Sequence, residues 1–246
     1  MESTLKSLPE ALSLTAREVL RASWPLFQVS LPGCLPLAVL GVAASAVPGA
    51  EAAARGESNG LHSPDWWGLY LASTVLVLIC YAGVLRQQLA LARGERIGVM
   101  GSLRQSLIGI AGTAGVVLLS VVAVLGGLVL LVIPGLVAVV YTFLAWPAQI
   151  EERLGPVEAL RRGVDLVRGR FTDVAAIIGS LLAAVLVFVL LSGVLLDIGM
   201  NLAGAGAPGH MGLSFSRWLM AGLLSLPVIY TGAVTVTAWR VAIRRA

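Results

Sequence analysis

The chain has 246 residues, 58% of them apolar and 12% charged, with a net charge of +4 and a mean hydropathy of +0.91. Ordinary soluble domains carry roughly a quarter charged residues, so the composition excludes a soluble globular fold. The basic balance does not indicate nucleic acid either, because the arginines sit beside the ends of apolar stretches, where topology and anionic headgroups account for them.

Six apolar stretches follow one another along the chain. A helix needs roughly 20 apolar residues to cross about 30 Å of hydrocarbon, and the expected crossings are 23–47, 66–85, 107–132, 135–150, 174–196 and 218–239. With their connections they account for nearly the whole chain, so residues 1–246 read as one membrane domain. The first contains Pro25, Pro32 and Pro36, which predict a bent helix, and Pro48-Gly49 is expected to end it. Ala44-Ser45-Ala46 has the form of a cleavage site, but the apolar region before it is longer than the roughly 7 to 15 residues of a secretory signal. A polar loop then leads to Trp66, Trp67 and Tyr70, an aromatic belt at one interface. Beyond Leu85 the segment RQQLALARGER is expected to project from the membrane as helix.

Between the third and fourth crossings stand only Ile133, Pro134 and Gly135. Proline cannot continue the ladder and glycine accepts positive φ, so a tight hairpin turn is expected at Pro134-Gly135. Pro147 should bend the fourth crossing, and Asp197 should open a loop containing GAGAPGHMG.

An amphipathic segment precedes each odd-numbered crossing, so the chain reads as three helical hairpins, each with an interfacial elbow. The first elbow has Leu5, Leu8, Leu12, Val19 and Leu20 near helical spacing, with Ser7 and Glu10 as a capping box. In the second, Val99, Met100, Leu103 and Leu107 share a face opposite Arg96 and Arg104. In the third, Val157, Leu160, Val164 and Val167 line one side, while Glu158 can pair with Arg162 and Asp165 with Arg161 or Arg168. The first and third elbows share a faint echo, PEALSLTAREVLR against VEALRRGVDLVR.

Fifteen of the 17 lysines and arginines fall in four blocks: Lys6 to Arg21, Arg86 to Arg104, Arg153 to Arg170, and Arg240 to Arg245. Positive charge is retained on the cytoplasmic face, so both termini are expected inside. Sixteen arginines against one lysine, with abundant Ala, Gly, Leu and Val, suggest a GC-rich bacterial genome and hence an inner membrane.

Catalysis needs titratable groups gathered in a cavity, and the six expected crossings contain no Asp, Glu, Lys, Arg or His, glutamine, as at Gln149, being their most polar side chain after the hydroxyls. Proton relays and charged-substrate carriers place ionisable residues at such depth; their absence argues against both. His62 and His210 lie in the two loops opposite the basic blocks and offer no third metal ligand, and Cys34 and Cys80 lie in apolar stretches, so no metal or other cofactor is expected. Ser120, Thr142, Ser180, Ser192, Thr231 and Thr235 read as hydrogen-bonders between helices, and Gly109, Gly112, Gly115, Gly126, Gly127 and Gly179 as points of close approach, within the chain or in a homo-oligomer.

The densest polar cluster is Glu151, Glu152, Arg153, Glu158, Arg161, Arg162 and Asp165. Its carboxylates (Glu151, Glu152, Glu158 and Asp165) are expected to fix the third elbow against the fourth crossing. Arg161, Arg162, Arg168 and Arg170 could instead receive lipid phosphate or a protein partner. In the same segment, Ile133-Pro134-Gly135, Pro147, Glu152, Gly155, Glu158-Ala159-Leu160-Arg161-Arg162 and Val167-Arg168-Gly169-Arg170 resemble a group of bacterial six-helix inner-membrane proteins of uncharacterised function. That group is similar to the membrane domain of glycerophosphoryl diester phosphodiesterases. The resemblance covers 133–171, with Gly163 where the pattern would carry a serine. It implies only a membrane domain, because the phosphodiesterase chemistry belongs to a soluble barrel.

These readings give three expectations for function. The first is a non-enzymatic scaffold or accessory subunit in envelope or lipid homeostasis, touching anionic lipid or a partner through its basic face. The second is a transporter of lipid or apolar solute. The third is an enzyme acting through His62, His210 or Asp197.

Overall fold

The computed structural model describes residues 15–54, 64–202 and 210–244. Among them there is no strand, and nine helices follow in order: α1 (Ala16–Ala54), α2 (Pro64–Arg93), α3 (Val99–Ile108), α4 (Ile110–Leu130), α5 (Val132–Thr142), α6 (Ala145–Glu152), α7 (Pro156–Val167), α8 (Phe171–Leu202) and α9 (His210–Ile243). Six stretches are long and apolar enough to cross a membrane: Ala16–Ala52, Asp65–Arg93, Ile110–Leu130, Val132–Glu152, Phe171–Leu195 and Leu219–Ile243. Of the first elbow, Leu5, Leu8, Leu12 and the capping box lie outside the described residues, as do 55–63 and 203–209, while Val19 and Leu20 belong to α1.

Helix α1 continues through Pro25, Pro32, Pro36 and Pro48 to Ala54, so Pro48-Gly49 does not end it. Each proline removes one ladder hydrogen bond and crowds the carbonyl four residues back. Placement keeps this tolerable: Gln28, Pro32, Pro36 and Leu40 form one exposed stripe, while Cys34, Leu37 and Ala38 are buried on the other side. The indole N–H of Trp66 donates to the Pro48 carbonyl at 3.2 Å, and Trp66 stacks on Tyr70 at 5.2 Å, joining α2 to the end of α1.

Helix α1 packs along both α2 and α9, and these three form the centre of the fold. The continuation of α2 past Leu85 is helical to Arg93, but it does not project: Gln87, Gln88, Leu89 and Ala90 are all buried. Gly94, at φ +86°, then reverses the chain.

The hairpin turn between α4 and α5 falls at Leu131, whose backbone is extended (φ −171°, ψ 153°), and not at Pro134-Gly135. Pro134 sits in the first turn of α5, where its missing N–H removes no ladder bond. Gly135 serves close approach: a Cβ there would lie 2.6 Å from the Leu128 side chain, and one on Gly127 would lie 2.7 Å from the Gly135 Cα. The fourth crossing breaks at Phe143 and Leu144. That is one turn before Pro147, where the proline ring crowds the Phe143 carbonyl.

Two elbows differ from their expected faces. In α3 the buried residues are Ser102 and Ser106, while Met100 and Leu107 are exposed. In α7, Ala159, Gly163, Leu166 and Val167 are buried and Val157 is exposed, because α7 packs against α4, α5 and α6. A Cβ on Gly163 would lie 3.1 Å from the Tyr141 carbonyl oxygen and from the Ala145 nitrogen, so the absence of a side chain lets α7 sit on the α5–α6 break. Asp197 does not open a loop, since α8 continues to Leu202.

Candidate functional site

Polar side chains meet inside the bundle near the basic end of α2. The Gln87 amide donates to Ser102 Oγ at 3.0 Å and accepts from the Cys34 thiol at 3.3 Å. Gln88 donates to the Ile229 carbonyl at 2.8 Å and to Ser30 Oγ at 3.3 Å. These contacts bind α1, α2, α3 and α9 to one another. Between α4 and α6, Thr113 donates to Gln149 Oε1 at 3.3 Å.

Each of these amides lies over a glycine of a neighbouring helix. A Cβ on Gly33 would come 3.1 Å from Gln87 Oε1, one on Gly112 would come 2.6 Å from Gln149 Nε2, and one on Gly232 would collide with Gln88 Oε1. Arg86 fits the pattern, its Nη2 lying 2.6 Å from where a Gly109 Cβ would be. The third of the evenly spaced glycines in this region, Gly115, receives Pro156. Gly179 has open space around it.

Most of the predicted hydroxyls do not bridge helices. Thr142, Ser180, Thr231 and Thr235 donate to carbonyls three or four residues back in their own helices, at 2.7 to 2.9 Å, and of these Thr235 also meets the Tyr81 hydroxyl of α2. Such back-bonding satisfies the hydroxyl without a partner helix. The bridging falls to amides, and sequence reasoning missed Gln87 and Gln88 because it ended the second crossing at Leu85. Their signal was a pair of glutamines continued by Leu89, Ala90 and Leu91 at helical spacing.

At the basic end, Arg93 pairs with Glu151 and reaches Glu95 at 3.3 Å. Glu152 pairs with Arg162 at 3.2 Å. The expected Glu158–Arg162 pair is replaced by this contact, and Glu158 instead accepts the Gly155 N–H at 3.3 Å and caps α7. Asp165 is exposed and, among the described residues, has no ion pair with Arg161 or Arg168. The carboxylate network therefore contains Glu151, Glu152 and Glu158 without Asp165.

The predicted arginine quartet divides. Arg162 is held by Glu152, and Arg170 donates to the Ala242 carbonyl at 3.3 Å. Arg161 and Arg168 are exposed, separated by seven residues, with Asp165 on the same side between them.

Three cavities accompany these groups. A largely apolar one of about 780 Å³ opens among α1, α2 and α9 away from the basic end, lined by residues including Leu40, Ala44, Leu76, Met220 and Leu224. Another of about 320 Å³ lies beside Trp24, Phe188, Pro227 and Tyr230. The third, about 100 Å³, lies at the basic end among Arg86, Arg93, Gln105, Glu151 and Arg153. No cluster of three His, Cys, Asp or Glu occurs among the described residues. Cys34 and Cys80 are buried free thiols; the side chains of His62, His210 and Asp197 lie outside the described residues.

Helices and spans of this kind define a multi-pass membrane protein of the all-α class. Comparison with protein families, curated proteins and solved structures finds no match to this chain.

Proposed function

We propose that this protein is a non-enzymatic scaffold or accessory subunit of a bacterial inner membrane, serving envelope or lipid homeostasis by engaging anionic lipid or a partner through its basic end. In this reading the basic end faces the cytoplasm, as the positive-inside rule requires. The observation that carries the proposal is the outward placement of Arg161 and Arg168, which form no ion pair among the described residues, on a helix packed firmly against the bundle.

The test is native mass spectrometry of the protein extracted with its surrounding membrane. The wild type is expected to retain a second polypeptide in fixed ratio or an anionic lipid class. The Arg161→Gln/Arg168→Gln variant is expected to hold it more weakly; identical retention by both would take the contact off α7, and a wild type that retains neither would sink the proposal.

A second reading, transport of lipid or apolar solute, is favoured by the cavity of about 780 Å³. Its size is within the roughly 300–1,000 Å³ usual for small-molecule sites. Transbilayer movement of a labelled lipid in proteoliposomes, slowed by Ala44→Phe, is the expected outcome under that reading.

A further inference from the structure

The cavity of about 100 Å³ at the basic end brings together three elements. Arg86, Leu89 and Arg93 lie along one side of α2, Gln105 comes from α3, and Ile150, Glu151 and Arg153 come from the end of α6. Arg86 is seven residues before Arg93, about 10 Å along the helix axis, so its guanidinium lies deeper than the others.

Charge in this cavity is unbalanced. Three arginines face one carboxylate, and that carboxylate, Glu151, is already engaged by Arg93. Outside the lining, Arg240 lies within electrostatic range of both Arg93 and Glu151, and Glu95, 3.3 Å from Arg93, offsets that added charge, so the excess rests on Arg86 and Arg153. Among the described residues neither Arg86 nor Arg153 has an ion-pair partner, and Arg86 Nε is buried without any hydrogen-bond acceptor. Arg86 is partly buried and Arg153 exposed; a buried donor left unmade is unfavourable, and a partly buried charge without a counter-ion adds to that cost. An anion placed here would answer both.

Two further observations narrow the anion. The Arg86 guanidinium is held over Gly109, which fixes its direction, and Arg153 occupies the left-handed region at φ 52°, the only non-glycine residue at positive φ among the described residues. A pair of guanidinium groups offers forked donors matched to phosphate oxygens. The volume suits a single phosphate group and excludes acyl chains. Beside the cavity, however, Leu107 and Ile108 are exposed at the end of α3, next to Gly109, and form an apolar path leading away from it.

We propose that this cavity binds one phosphate group, supplied by the headgroup of an anionic phospholipid whose chains follow the exposed Leu107–Ile108 side of α3. The proposal rests on the reading that the basic end engages anionic lipid, but it moves the specific contact from the outer face of α7 to Arg86 and Arg153. It also gives α3 a reason to turn its apolar residues outward. Asp165 between Arg161 and Arg168 leaves α7 a weaker attractor for a single phosphate than the cavity.

The full chain, purified in neutral detergent, is titrated with phosphatidylglycerol, with diacylglycerol and with inorganic phosphate, reading lipid adducts by native mass spectrometry and thermal stability in parallel. One phosphatidylglycerol per chain is expected, with a rise in melting temperature that diacylglycerol does not give. Arg86→Gln/Arg153→Gln should weaken that adduct at least about tenfold. Gly109→Val, which keeps every charge but fills the space of the Arg86 guanidinium, should do the same, so the test does not depend on a charge change that disturbs folding. Inorganic phosphate matching phosphatidylglycerol would support the phosphate site and assign it to a soluble anion. A phosphatidylglycerol adduct undiminished in both variants, or no phosphate-dependent shift in the wild type, overturns the proposal. Loss in Arg161→Gln/Arg168→Gln alone would also overturn it while leaving the reading of α7 intact.

Discussion

In the most apolar stretch of α9 half of the residues are buried inside the protein, whereas in α4 only 11% are, although α4 has the higher mean hydropathy, 2.5 against 1.8. Within a soluble protein that order would be reversed, because apolar surface leaves water by entering the core. In a membrane the lipid tails are as apolar as leucine, so helices associate through close packing and polar contacts. The α1–α2–α9 centre is accordingly built from Gln88, Ser30 and Gly232, while the α4–α5 hairpin is held by Gly127 against Gly135 and leaves Leu118, Val122 and Val129 outside. High hydropathy in this chain marks the helices that face lipid.

The comparison breaks most readily at Gly232. Gly232→Leu would drive a side chain into Gln88 Oε1 and is expected to destabilise the centre by about 3 kcal/mol; an unchanged melting temperature in detergent would refute the role given to this contact. Gly127→Val is expected to be next, at about 2 kcal/mol, since its Cβ alone would come 2.7 Å from the Gly135 Cα. Spin labels at the exposed positions 125 and 136 should report a wider α4–α5 separation in that variant.

A third substitution separates hydrogen bonding from packing. Gln88→Ala should cost about 1 to 2 kcal/mol by removing two hydrogen bonds and leaving a void. Gln88→Met is expected to be milder, because Gln88 Oε1 has no partner among the described residues and the methionine refills the volume. Equal losses in the two variants would make the amide itself decisive. At the half-exposed basic end, Arg93→Gln should cost less than about 1 kcal/mol, with a difference from wild type that shrinks as salt is raised. Val129→Ala, at a position 87% exposed, should change stability by no more than about 0.5 kcal/mol. A larger loss there would mean that this side of α4 is covered.

The crossings were legible because the requirement that sets them, a run of apolar residues long enough for the bilayer, is a property of sequence alone. Their ends were less so. Pro48-Gly49 has the sequence of a stop, but the effect of a proline depends on how its neighbours hold the helix, as Trp66 does at the Pro48 carbonyl. Pro134 was read as the turn, and the extended residue at Leu131 carries no distinctive side chain to reveal it. The candidate site was half legible. The arginine blocks and Glu151, Glu152 and Glu158 were visible as a cluster, but their pairing was not, since Arg162 could reach either Glu158 four residues away or Glu152 across a turn. Arg86 was counted only among charges flanking a crossing, whereas its burial over Gly109 follows from where α3 and α4 meet α2.

The all-helical class, the six crossings and the gathering of arginine at the ends of the apolar stretches were determined by the sequence itself, through the length and composition that a bilayer demands and the placement of charge along the chain. Which polar groups are buried, which glycines receive them and which arginines lack a counter-charge were decided only by the tertiary structure. The physical reason is that hydropathy records the exchange between water and lipid, while helix–helix contacts inside lipid depend on shape and hydrogen bonding between residues distant in the chain.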